Sequence, residues 1–203
     1  MRIPPVAIAA VVTLAVPFAL PAEQTGRAAD ALERSFAPGG HVRMDLSAGD
    51  YHVVGSDEDR IRIEWSVRDP GRLSEVHVSA DADGSKATIR SEGPSSHFSV
   101  TIRVPARSDL DVRLTAGDLE VEGIEGNKEI RSRAGDIDID LVRPEDYARV
   151  QASSWAGDLR AEPLGISKGG LFRSFDWEGK GRYELSVRLL AGDIRLYAAA
   201  PSR

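Results

Sequence analysis

The stretch LTAGDLEVEG (Leu114–Gly123) is followed by RAGDIDIDL (Arg133–Leu141), WAGDLRAEP (Trp155–Pro163) and LAGDIRLYA (Leu190–Ala198), with SAGDYHVVG (Ser47–Gly55) upstream. A tripeptide that recurs five times, each time before an apolar residue, belongs to the architecture. An active-site motif normally occurs once. Around each copy apolar and polar residues alternate, the period-two signature of a strand with one buried face. Leu110, Val112, Leu114 and Ala116 form the buried set before the second copy, and Leu119 and Val121 continue it afterwards. Ala116 and Leu119 are three apart, so the alternation slips by one residue at Gly-Asp. In a straight strand that slip turns the second set of side chains towards water. It is harmless only where the chain turns a corner.

Glycine suits the corner because it accepts positive φ without Cβ strain. Aspartate suits the next position because its carboxylate accepts hydrogen bonds from turn amides, expected here to be those of its own corner. The predicted structural turns are therefore Gly49 and Asp50, Gly117 and Asp118, Gly135 and Asp136, Gly157 and Asp158, and Gly192 and Asp193. Asp118 and Asp136 are 18 residues apart, and Asp136 and Asp158 are 22 apart. Repeats of that length are typical of solenoids, whose units bury a face only by stacking on neighbours. The reading is an all-β chain forming a single-stranded, β-helix-like solenoid, with a twisted β-sandwich of solenoid character as the alternative. The interval from Asp50 to Asp118 has room for about three rungs without the motif, and DADGS is expected to turn a hairpin near Asp83-Gly84.

Residues 1–22 read as a secretory signal. Arg2 gives a positive start, Val6–Leu20 carries no charge, and Ala22 is a small residue before a cleavage point. An uncleaved anchor is the alternative, and membrane attachment is expected only through that segment. Residues 23–40 are expected to be a tether, 41–198 the β domain and 199–203 a tail. Export to the periplasm or cell surface follows. Formal net charge is −6, becoming −7 without Arg2 (25 Lys+Arg against 32 Asp+Glu). That balance excludes a basic nucleic-acid footprint. The absence of cysteine excludes disulfides, thiolate metal sites and a cysteine nucleophile.

The run FSVTIRVPARSDLDVRLTAGDLEVEGIEGNKEIRSRAGDIDID (Phe98–Asp140) resembles the bacterial family of putative adhesins. In that family a strand ending in Val-Pro leads to Gly-Asp strands separated by a Gly-x-x-Gly turn, here Gly123-Ile124-Glu125-Gly126. The resemblance spans residues 41–198. It implies a β-solenoid fold and an envelope location, and it carries no catalytic motif.

No hydrolase, P-loop or dinucleotide fingerprint is present. The four histidines, His41, His52, His77 and His97, lack local metal-ligand spacing, and no metal or other cofactor is expected. DADG resembles a calcium loop superficially, but the sixth position, which requires glycine, is Lys86. A ladder of corner aspartates could serve glycoside hydrolysis, although capping explains a residue needed at every corner. The non-repeating excursion Leu164–Gly181 carries Phe172, Phe175 and Trp177. With Trp155, which lies in the outward phase, these form the candidate binding surface, or else they cap the end of the stack. The functional expectation is a non-enzymatic envelope module that binds a glycan or envelope protein. A carbohydrate-active enzyme and a self-assembling scaffold are the alternatives.

Overall fold

The computed structural model describes residues 28–198. The signal segment 1–22 and the tail 199–203 lie outside the described residues. Among the described residues the chain forms seventeen strands and three short 3-10 turns. The first half runs β1 (Ala28–Ser35), β2 (His41–Ala48), β3 (Asp50–Ser56), β4 (Arg60–Val67), β5 (His77–Asp83), β6 (Lys86–Glu92), β7 (Phe98–Pro105), β8 (Asp109–Ala116) and β9 (Leu119–Glu122). The second runs β10 (Lys128–Ala134), β11 (Ile137–Asp140), β12 (Tyr147–Ala156), β13 (Leu159–Ala161), β14 (Ile166–Lys168), β15 (Leu171–Glu178), β16 (Tyr183–Ala191) and β17 (Ile194–Tyr197). Two large mixed sheets result, one ordered β1-β4-β7-β3-β9-β11-β17-β13-β14 and the other β15-β12-β16-β10-β8-β2-β6-β5.

Each Ala-Gly-Asp joins a strand of the second sheet to a strand of the first. Leu114 and Leu119 are both buried, at 4% and 1% exposure, so the phase slip keeps the apolar side chains of both limbs inside. The inward residues of both sheets belong to one buried cluster, dominated by Val, Ile and Leu. Five units carry the tripeptide; a sixth, β6 with β7, turns through Gly93–His97 instead. The six inner strands of each sheet are parallel.

The units are not wound in chain order, which corrects the expected single-stranded solenoid. Along the stack they run β6/β7, β2/β3, β8/β9, β10/β11, β16/β17, β12/β13. In each half the chain skips one slot, lays down strands bound for the ends, and returns to fill the gap. The interval from Asp50 to Asp118 therefore holds one rung and two antiparallel strands, where the sequence suggested about three rungs. Its predicted hairpin is present, with Asp83 paired to Lys86 and Gly84 at φ +56°. At the ends, β4 and β1, β5, β14 and β15 run antiparallel to the strands they cover. Residues 28–35, predicted to be tether, are one of these end strands because Leu32 can pack on the core beside Ile63. Asp30, Glu33 and Arg34 on β1 and the three-residue length of β14 make poor templates for edge-to-edge pairing.

The corner glycines stack on one another. A Cβ on Gly117 would lie 2.0 Å from the Gly49 oxygen, one on Gly135 2.1 Å from that of Gly117, and one on Gly192 2.0 Å from that of Gly135. Gly135 also holds φ +107°, which L side chains avoid. Gly84 has positive φ, but a Cβ there would meet no atom within 4 Å. Gly84→Ala should therefore report the backbone cost alone, about 1 kcal/mol, and Gly135→Ala should cost at least about 2 kcal/mol more. Thermal unfolding followed by circular dichroism measures the difference; equal losses would show that close approach does not hold the corner.

Candidate functional site

At the corners, where the sequence placed a ladder of aspartates, the backbone passes from rung to rung with one substitution. Gly117 N donates to Ala134 O at 3.0 Å and Leu119 N to Asp136 O at 2.9 Å. Between them, Asp136 N donates to Asp118 Oδ1 at 3.0 Å. The same bond recurs from Asp193 N to Asp136 Oδ1 and from Asp158 N to Asp193 Oδ1, at 2.9 and 2.8 Å. Three of the five corner carboxylates, those of Asp118, Asp136 and Asp193, thus bind the amide of the adjacent rung, not of their own corner as the sequence suggested, while that of Asp158 accepts from Arg160. The reason is geometric: the glycine oxygen is pressed against the next glycine and has turned out of the ladder. The aspartate oxygen takes the place of that carbonyl.

A second ladder of this kind runs along the other end of the second sheet and was missed in the sequence. Asn127 N donates to Asp109 Oδ1 at 2.7 Å, and Glu184 N to Asn127 Oδ1 at 2.9 Å. Its trace was available: Asp109 and Asn127 are separated by 18 residues, the spacing of Asp118 and Asp136. With the corner carboxylates engaged as backbone acceptors, Asp136→Asn should leave stability nearly unchanged, since the amide oxygen still accepts. Asp136→Ala should lower it by about 1–3 kcal/mol, measured by urea unfolding. Equal losses from both variants would remove the acceptor argument.

Beside the second ladder lies an unexpected buried cation. Lys128 is 2% exposed and aligns with Leu110 and Leu185 on the neighbouring strands, so it occupies a core position. Its stem packs inward while Nζ reaches the end of the strand, donating to Tyr147 Oη at 2.6 Å and Gly126 O at 3.2 Å. Burial pushes the ammonium down to about 7, against the opposing pull of Asp140, Asp109 and Glu125. Burial also pushes the Tyr147 phenol up, so it stays protonated. Asp140 itself is 6% exposed and accepts from Val142 N.

Between pH 7 and the ordinary lysine value of 10.5, the unfolded chain binds a proton at Lys128 that the folded chain largely lacks. Stability therefore rises with pH across that window, by up to about 1.4 kcal/mol per unit. Relative to Lys128→Met, the wild type should gain melting temperature steadily from pH 7 to pH 10. A pH-independent gap between the two would mean that Lys128 stays charged when folded.

The candidate binding surface divides. Phe175 is 9% exposed and Trp177 packs against the core, both on the capping strand β15. Trp155 and Phe172 point outwards, at 52% and 68% exposure, with ring centroids 5.3 Å apart in an edge-on arrangement. Leu190 (54%) and Leu171 (58%) complete the large apolar side chains that are exposed among the described residues. All four lie on the adjoining strands β15, β12 and β16. Leu190 follows Trp155 across the parallel pair β12–β16, and Arg133 continues the row. Phe172 holds φ +54°, a left-handed conformation rare for an aromatic residue.

No protein-family model matches the sequence, and no curated relative was found. Among solved structures, a putative cell adhesion protein from Clostridium sporogenes is similar at a TM-score of 0.55 and 10% identity, over 85% of this chain and 100% of that one. A putative adhesin from Parabacteroides merdae covers 86% of this chain and 97% of its own, at 11% identity and a TM-score of 0.30. The first similarity shows a shared fold. Among the described residues, no helix is long and apolar enough to cross a membrane.

Proposed function

We propose that this chain is an exported, non-enzymatic binding module of the cell envelope, in which a solenoid-like stack of parallel corners presents Trp155, Phe172 and Leu190 to a partner. The observation that carries this reading is the gathering of every exposed large apolar side chain among the described residues at one end of one sheet. Clustered apolar surface of that kind marks an interaction site, whereas exposed apolar residues scattered singly need no explanation. The left-handed backbone at Phe172 supports the same reading. Backbone strain is retained where surrounding structure holds it, and it concentrates at ligand contacts.

The surroundings favour a glycan. Exposed Arg133 lies in the row of Leu190 and Trp155, exposed Arg188 lies two residues before Leu190 on β16, and Ser153 is register partner to Arg188. Hydroxyl-rich sugars present an apolar face for an aromatic ring and polar edges for such donors. The fold shared with the Clostridium sporogenes protein agrees with an adhesion-type role, and presentation on a rigid sheet requires no catalytic group.

The test is binding of the full-length protein to an array of envelope polysaccharides and to immobilised envelope proteins. Trp155→Ala with Phe172→Ala should weaken binding at least tenfold with little change in melting temperature. Phe175→Ala with Trp177→Ala should instead destabilise the fold by about 3 kcal/mol or more, as expected for one buried and one partly buried aromatic side chain packed on the core. Glycan binding that survives loss of Trp155 and Phe172 would refute the assigned surface. Shortening of a polysaccharide on incubation would refute the non-enzymatic reading.

A further inference from the structure

The outer face of the nine-stranded sheet carries a separate cluster. His52 on β3 and Glu120 on β9 are register partners on adjacent parallel strands, and Glu122 lies one outward position further along β9. His52 Nε2 is 2.9 Å from Glu122 Oε2 and 3.9 Å from Glu120 Oε2. One ligand atom from each of the three residues lies within 4.8 Å of the others. Tyr197 reaches across β11 from β17 and donates its hydroxyl to Glu122 Oε1 at 3.2 Å, leaving Oε2 directed at His52.

Acidic side chains predominate around these residues. His52 and Glu120 border a shallow depression of about 330 Å³ that Asp50, Asp118, Asp136 and Asp138 also line. Arginines flank it, but each has its own acid: Arg103 bonds Glu64, and Arg195 bonds Asp138. A dication beside two carboxylates and a neutral imidazole would neutralise the local charge without recruiting another side chain.

We propose that His52, Glu120 and Glu122 form a site for one divalent cation of the zinc class. The donor set selects the metal. Calcium and magnesium prefer all-oxygen shells with more ligands, whereas zinc accepts imidazole nitrogen with carboxylate oxygen. Zinc holds such ligands at about 2.0–2.2 Å, which places two of them about 3.3 Å apart in a tetrahedral shell. The 2.9 and 3.9 Å separations from His52 bracket that value, and the two carboxylates, whose ligand atoms lie within 4.8 Å of each other, would close on the ion by side-chain rotation. Tyr197 would act as the outer partner that orients a ligating carboxylate. Three protein ligands leave a position for water or for a donor from a bound partner. The proposed site departs from the expectation of no metal. Local spacing could not reveal it, since His52 and Glu122 are 70 residues apart and meet only through the rung order.

This proposal does not rest on the Trp155 surface and has its own test. Tag-free full-length protein is stripped with chelator, then titrated with Zn²⁺ by calorimetry and with Co²⁺ by visible absorption. One Zn²⁺ per chain should bind, with Ca²⁺ and Mg²⁺ at least a hundredfold weaker. His52→Gln should weaken Zn²⁺ at least fiftyfold, and Glu122→Gln at least tenfold. In the unaltered protein, Zn²⁺ should shift the imidazole resonances of His52 and leave those of His41, His77 and His97 in place, a readout that needs no variant to fold. Calcium binding as tight as zinc binding, or zinc binding unchanged in His52→Gln, would reduce the cluster to an ion pair in an acidic field. Zinc-induced shifts at another histidine would place the metal elsewhere.

Discussion

Gly157, Gly192, Gly135, Gly117 and Gly49 form a column in which each backbone comes too near the next for any side chain to intervene. The oxygen of one glycine occupies the place where a Cβ on the following glycine would project. That approach lets two parallel sheets share an unbroken edge at the corner, with amide bonds continuing from one limb into the other. It also displaces a carbonyl from the ladder, and the aspartate after the glycine restores an acceptor. The glycine and the aspartate thus answer one problem jointly. The alanines before them are half-buried, and Ala191 is exposed, so they lie at the rim of the bend and not in its interior.

Parallel, in-register stacking has a second consequence. It converts a position in the repeat into a row across a sheet. The position before each Ala-Gly-Asp reads, along the stack, Ser47, Thr115, Arg133, Leu190 and Trp155, and Phe172 on the capping strand extends it. The second position after each aspartate-bearing corner reads His52, Glu120, Asp138, Arg195 and Arg160. The first row passes from polar to apolar, and the second from histidine and acids to arginines. Neither gradient follows the chain, because the last unit was inserted before the one that precedes it.

That insertion marks the limit of what the sequence could convey. The phase slip between Leu114 and Leu119 was legible because burial of both follows from local periodicity and a corner. The hairpin near Gly84 was legible because positive φ and strand alternation are local as well. The order of the units was not. Which rung lies beside which depends on where the end strands β4, β5, β14 and β15 settle, and their contacts are long-range. The same holds for the sites. Trp155 stood out as an outward aromatic, and the excursion beside it was legible as either a binding surface or an end cap. Its rings could not be sorted, since Phe175 and Phe172 differ only in how β15 lies on β12. Lys128 was hidden because a lysine in a leucine position reads as a surface residue until Tyr147 and Gly126 are seen to receive its ammonium.

The repeated tripeptide attracts attention, yet it is where function is least able to reside. Its glycine has no room for a side chain, and three of the five aspartate carboxylates accept amide bonds between rungs. Variation is permitted only at outward positions that the ladder does not use. There the units differ most: tryptophan against serine on one side of the corner, histidine and glutamate against arginine on the other. A scaffold that fixes its own repeat so strictly must carry specificity in what does not repeat. Both proposed surfaces, the aromatic end of one sheet and the His52 cluster of the other, consist of such residues. Each acquires its neighbours from the order in which identical corners are stacked.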